Sequence, residues 1–133
     1  MRKLDERCLV AGQIAPDDVP AIAAAGVTRI VNNRPDGEEP GQPAGAEIEA
    51  AARAAGIDYR HIPIAGGFGG DQVLAMAAAL DGEGKLLAFC KSGTRSTFLW
   101  ALARSERGAP RNALVRAAER AGFDLRPISL YLS

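Results

Sequence analysis

The chain has 133 residues, and its sixteen basic and sixteen acidic side chains cancel at neutral pH, which gives no electrostatic reason to expect a nucleic acid or an anionic membrane as partner. No apolar run approaches the roughly 20 residues that span a bilayer, and the opening MRKLDERC lacks a signal-peptide core. Two cysteines and one histidine are too few for a disulfide framework or a metal cluster, so the expectation is a cytoplasmic protein with reduced thiols, no metal and no cofactor.

One domain over residues 1–133 is expected at this length. Aromatics supply only 5% of residues and alanine much of the apolar content, which predicts small, closely packed helices. Cys8 to Ala11 reads as a short first strand. Ala15-Pro16-Asp17-Asp18 opens a helix, with proline tolerated in the first turn and acids at its positive end, and Gly26 closes it. Thr28 to Asn32 is a β-branched strand, and residues 33 to 45, rich in Pro and Gly, fit no regular element. A helix over Ala46 to Ala55 ends at Gly56, and Asp58 to Ile64 alternates as a half-buried strand does. The loop AGGFGG leads into a helix from Asp71 to Leu80.

Lys85 to Phe89 is continuously apolar after its lysine, as in a central strand. The next helix carries Phe98, Leu99 and Leu102 at spacings that give one buried face. A last helix runs from Pro110 to Ala121, and Ile128 to Leu132 is an apolar tail. Alternating strands and helices predict an α/β fold, a mostly parallel sheet flanked by helices. Ligands of such sheets lie at the carboxyl ends of the strands, so the loops after Asn32, Ile64 and Phe89 are expected to meet at one edge.

The chemistry concentrates where the central strand ends, in Cys90-Lys91-Ser92-Gly93-Thr94-Arg95-Ser96. A sulfur there faces backbone N–H groups at the positive end of a helix with a guanidinium beside it, and all three favour its anionic, nucleophilic form. The same turn suits an anion. Gly93 lets the backbone approach, Ser92 and Thr94 add hydroxyls, Lys91 adds charge, Arg95 offers a fork for oxyanions, and Ser96 is within reach of the sulfur. A buried cysteine is otherwise a small core hydrophobe, which is the reading for Cys8.

On the other loops, Asp36 is a candidate acid or a plain turn aspartate, and Arg34 a second charge for substrate or a loop-ordering ion pair. Asp71 is a candidate acid or a residue favoured by the helix dipole. His61 reads as a structural, partly buried histidine, and Trp100 and Tyr131 as core or interface residues.

The loop Cys90 to Ser96 resembles the active-site loops of two families. Cysteine-dependent phosphatases place five residues between cysteine and arginine, commonly after a histidine; rhodanese sulfurtransferases often place four. Four intervene here and Phe89 stands at the histidine position, so the loop itself resembles the rhodanese type. The wider pattern is more specific: Gly26 to Glu38 (GVTRIVNNRPDGE), Pro40-Gly41-Gln42-Pro43, His61-Ile62-Pro63-Ile64 and Cys90 to Ser96 resemble, in that order, the phosphatase-like domain of beta-lactamase-hydrolase-like proteins, a bacterial family also described as sulfur transferases and sometimes fused to a metallo-hydrolase or persulfide-dioxygenase-like domain. The resemblance covers roughly residues 3 to 108 and implies a fold similar to dual-specificity phosphatases, which carry their general-acid aspartate in the segment where Asp71 lies.

The expectation is therefore a sulfurtransferase that holds a persulfide on Cys90 and takes a small anionic sulfane-sulfur donor and a thiol acceptor. The alternative is a phosphatase that cleaves phosphate esters through a phosphocysteine, and a third reading is a non-catalytic anion or redox sensor.

Overall fold

The computed structural model describes residues 1–133. Five strands form one sheet: β1 (Arg2–Asp5), β2 (Cys8–Ala11), β3 (Val27–Asn32), β4 (Asp58–His61) and β5 (Lys85–Phe89), in the spatial order β1-β2-β5-β3-β4. Only β1 is antiparallel; β2, β5, β3 and β4 run parallel, with β5 central as its apolar run predicts. The helices are α1 (Val19–Ala24), α2 (Gly45–Ala54), α3 (Gly70–Leu80), α4 (Thr94–Glu106) and α5 (Arg111–Arg120), with short 3-10 turns at Pro16–Asp18 and Arg126–Tyr131.

Burial on β5 explains the layering. Leu86 and Ala88 pack into a core shared with α3, α4 and α5, while Leu87 and Phe89 point to the opposite face, into a core with Val19, Ile22 and Ile48 from α1 and α2. Helices therefore cover both faces, as a mostly parallel sheet requires. No helix is long and apolar enough to cross a membrane.

Three elements depart from the sequence reading. β1 is an additional strand: only Leu4 of its four residues is buried, so it carries no alternation signal, and it is held by pairing with β2 and by Asp5, which accepts from Trp100 Nε1 at 3.4 Å and Arg104 at 3.2 Å. β4 stops at His61, three residues early, because Pro63 has no N–H to donate to the ladder; the chain still tracks β3, with Ile62 N–H and Ile64 N–H donating to the carbonyls of Asn32 and Asn33. The apolar tail is a 3-10 turn that buries Ile128, with Leu132 buried just beyond it, and leaves Leu130 and Tyr131 exposed, so Tyr131 is not a core residue.

The carboxyl ends of the parallel strands do converge. Asn33 N–H donates to Phe89 O at 2.8 Å, Cys90 N–H to Ala11 O at 3.4 Å, and Gln13 N–H to Lys91 O at 3.3 Å. The β2 loop joins the three expected there, and it comes so close that a Cβ on Gly12 would stand 2.9 Å from Lys91 O.

Candidate active site

Cys90 is the first residue past β5, only 1% exposed, beneath the turn that opens α4. Gly93 caps that helix at φ +91°, a left-handed conformation that L side chains rarely adopt, and the resulting turn aims its N–H at the sulfur, with Gly93 N–Cys90 Sγ at 3.1 Å. The Thr97 hydroxyl donates to Gly93 O at 2.8 Å and ties the turn to the first turn of α4. A backbone N–H at the positive end of a thirteen-residue helix is thus committed to this sulfur.

Arg95 is placed by acceptors on two other loops. Its Nη1 donates to Glu38 Oε2 at 2.7 Å and to Ile64 O at 2.8 Å, and its Nη2 to Glu38 Oε1 at 2.9 Å. This two-point grip fixes the plane of the guanidinium. Its pKa is pushed above the usual value by the Glu38 hydrogen bond first, with a smaller contribution from Cys90.

Glu38 is in turn held from behind. Arg34, 4% exposed, donates to Glu38 at 2.9 Å, to Glu39 at 3.0 Å and to Gln13 Oε1 at 3.0 Å. Glu39 pairs with Lys91 at 2.5 Å. Two successive glutamates on the β3–α2 loop therefore each hold one cation of the cysteine loop. The Glu38 carboxyl is lowered from 4.5 to about 2, chiefly by its hydrogen bond from Arg95 and then by Arg34, against an opposing contribution from burial. Glu39 is lowered mainly by Lys91.

The expected site residues separate on these contacts. Cys90, Lys91, Ser92, Gly93, Thr94 and Arg95 form one turn, with Lys91, Ser92 and Thr94 exposed and Ser92 Oγ bonded to Thr94 Oγ1 at 3.1 Å. Ser96 does not serve the sulfur as expected: it is buried and donates to Asn33 Oδ1 at 2.8 Å, while Asn33 Nδ2 donates to Ile62 O, which locks α4 to the β3 and β4 loops. Arg34 is the loop-ordering ion pair, its donors being spent inside the protein. Asp36 accepts from Gly45 N–H at 2.7 Å, a bond to the first turn of α2. Asp71 is exposed in the first turn of α3.

His61 is more exposed than expected, its Nε2 lying 2.9 Å from Arg34 O. Cys8 is a core residue, and burial pushes its thiol far above the usual range. It pairs with Leu86, whereas Cys90 follows Phe89, a separation of about 13 Å at the usual strand rise, too far for a disulfide. Sequence reasoning missed Glu38, Glu39 and Gln13. The one available signal was the acidic pair in RPDGEE, on a loop already expected at the active edge.

With this geometry in place, similarity to known proteins decides the family. The profile described as beta-lactamase hydrolase-like protein, phosphatase-like domain, matches residues 1–107. The chain belongs to that family. Relatives named beta-lactamase hydrolase-like protein, from Agrobacterium fabrum and Xylella fastidiosa, are 38% and 39% identical over 126 and 125 residues, and each match takes in 92% of this chain. The chain spans 29% of the length of those relatives.

Among solved structures, a candidate phosphatase from Neisseria meningitidis is 32% identical with a TM-score of 0.80, covering 97% of this chain and 93% of that one. Tk-PTP in its active form is 21% identical with a TM-score of 0.72 over 97% of this chain and 90% of its own, and kinase associated phosphatase is 16% identical with a TM-score of 0.69 over 93% and 79%. Both of these share the fold, that of dual-specificity-type phosphatases.

Proposed function

We propose that this phosphatase-like domain is an enzyme that carries a transferable group on Cys90, and that the group is sulfane sulfur. The observation that carries the reading is how the acids around the thiol are spent. Glu38 is held ionised by Arg95 and Arg34 and so brings no proton for a leaving alcohol, while Asp36 is engaged by the Gly45 N–H at the start of α2. Sulfur transfer needs no such proton. The Cys90 sulfur attacks the outer sulfur of thiosulfate, the S–S bond of the donor breaks, and sulfite leaves with the bonding electrons. The Gly93 N–H, 3.1 Å from the Cys90 sulfur, stabilises the persulfide anion so formed. An acceptor thiolate then attacks the outer sulfur, forms its own persulfide, and frees Cys90 as thiolate.

A second reading, hydrolysis of phosphate esters through a phosphocysteine, draws more direct support from the family's description and from the phosphatases that share the fold. It asks for an acid to protonate the leaving oxygen and for activation of water in the second step. Asp71, on the segment that follows the Ile64 contact with Arg95, is the acid left uncommitted for that role.

Intact-mass analysis after thiosulfate or glutathione persulfide, run beside an aryl-phosphate assay, separates the readings. Sulfur transfer predicts a gain of one sulfur atom on the wild type that Cys90→Ser lacks and that a small thiol removes. Cys90-dependent release of phosphate without sulfur uptake assigns the second reading instead. Anion binding with neither reaction would leave a sensor.

A further inference from the structure

Gly93, whose N–H donates to the Cys90 sulfur, has one face closed by two other parts of the chain. A Cβ built there would stand 3.2 Å from Phe123 Cζ and 3.5 Å from the carbonyl carbon and oxygen of Ala11. Ala11 ends β2 and pairs with Phe89, so it belongs to the sheet that carries the sulfur. Phe123 comes from elsewhere. It follows α5 in the chain, beyond residue 107 where the family profile ends, and its partly buried ring packs on the core shared by α3, α4 and α5.

Phe123 is itself held. Its N–H donates to Ala118 O at 2.8 Å, which closes the end of α5. Arg2 of β1 reaches over it: the guanidinium carbon lies 5.3 Å from the ring centroid, and Nη1 donates to Ala121 O at 2.9 Å. The approach is so close that a Cβ on Gly122 would stand 2.6 Å from that Nη1. Arg2 in turn pairs with Val10 of β2, the residue before Ala11. Contacts therefore run from Ala11 to Gly93, Phe123 and Arg2 and return to β2 through β1.

We infer that Phe123, clamped by Arg2, is a positioning residue for the Cys90 site: its ring fixes the turn that aims the Gly93 N–H at the sulfur. The inference rests on the reading of Cys90 as the nucleophile, and it holds for sulfur and phosphoryl transfer alike. Gly93 has no side chain with which to lock its own conformation, so the lock comes from its neighbours. Thr97 holds its carbonyl, and Phe123 fills the space beside its α-carbon. Without the ring the turn relaxes into the vacated space. The N–H then swings off the sulfur, and the anion loses the donor that favours it.

The test is the pH profile of Cys90 alkylation by iodoacetamide in the full chain, with peptide mass spectrometry counting Cys90 apart from Cys8. The rate at high pH, where the thiol is ionised, reports access to the sulfur. The pH of half that rate reports how far the turn favours the anion. Phe123→Ala is expected to move that midpoint up by about half a unit to one unit, a reaction about threefold to tenfold slower on the acid side. Phe123→Leu is expected to restore most of the loss, and Arg2→Met to move the midpoint the same way by less. Arg95, Lys91, Glu38 and Glu39 are kept in every variant, so a moved profile belongs to the turn. Leu114→Ala thins the packing of α5 in the same core while Phe123 and Arg2 stay in place; it is expected to lower the thermal midpoint and leave the profile where it is. An unmoved profile in Phe123→Ala, or in Arg2→Met where that variant does not fold, overturns the inference and leaves the Cys90 reading standing. A shift in Leu114→Ala as large as in Phe123→Ala does the same. A wild-type profile no different from that of the urea-unfolded chain overturns the Cys90 reading and the inference with it.

Discussion

Replacing Glu38 by glutamine removes one negative charge from the centre of the Arg34–Glu38–Arg95 network while keeping its shape and one acceptor oxygen. The folded carboxyl lies at about 2 against 4.5 ordinarily. A depressed folded value means that the ionised form is stabilised by folding, so the contribution is complete above about pH 4.5 and fades as the pH falls toward 2. At about 1.4 kcal/mol per unit the shift sets a ceiling near 3.4 kcal/mol. The side chain is 27% exposed, and solvent screening reduces the expected value to about 1–1.5 kcal/mol. Urea unfolding of wild type and Glu38→Gln at pH 7 is therefore expected to differ by that amount, corresponding to roughly 3–6 °C in thermal midpoint. The difference is expected to shrink steadily between pH 4.5 and 2. The variant also frees Arg95 to leave the plane that faces the sulfur, so Cys90-dependent turnover falls by about tenfold or more. A stability difference that is equal at pH 7 and pH 3, or absent at pH 7, would refute the charge-network account.

Two further predictions concern the turn and the core. Gly93→Ala forces a side chain into a left-handed position and brings its Cβ to 3.2 Å from Phe123 Cζ, so a loss of about 1–3 kcal/mol and of Cys90 reactivity is expected, measured by unfolding and by donor-dependent mass gain; retention of full reactivity would show that the turn is not what presents the sulfur. In a Cys90→Ser background, burial and the neighbouring Asp5 keep the Cys8 thiol protonated, so iodoacetamide at pH 8 is expected to leave it unmodified until denaturant is added. Peptide mass spectrometry checks this, and labelling of the folded protein at the rate of a free thiol would contradict its place in the core.

Much of the fold is legible from local pattern. β5 shows itself in its continuous apolar run, whereas α4 is buried nearly all round, Leu99 to Ala103 without a break, rather than on the one face its Phe98, Leu99 and Leu102 spacing suggests; the glycine of the cysteine turn and the arginine just beyond it lie within five residues of the sulfur. β1 is invisible by that route, because Arg2, Lys3 and Asp5 show no apolar alternation and the strand exists through its partner. The end of β4 was legible in Pro63 and overridden by the alternation that continues to Ile64. At the site the same division holds. The donor to the sulfur comes from its own turn, whereas the partners of Arg95 and Ser96 lie 57 and 63 residues away in the chain.

By itself the order of residues determined that a thiol, a glycine turn and an arginine form one unit at the end of a central strand, because neighbours a few residues apart on a strand–turn–helix have little freedom to separate. Tertiary structure alone decided what those groups bind in the folded state: that Glu38 grips Arg95, that Arg34 faces inward, that Asp36 serves a helix end and that Ser96 serves Asn33. Hydrogen bonds and ion pairs act over about 3 Å, and only the packing of β2, β3, β4 and β5 into one sheet brings their loops within that range.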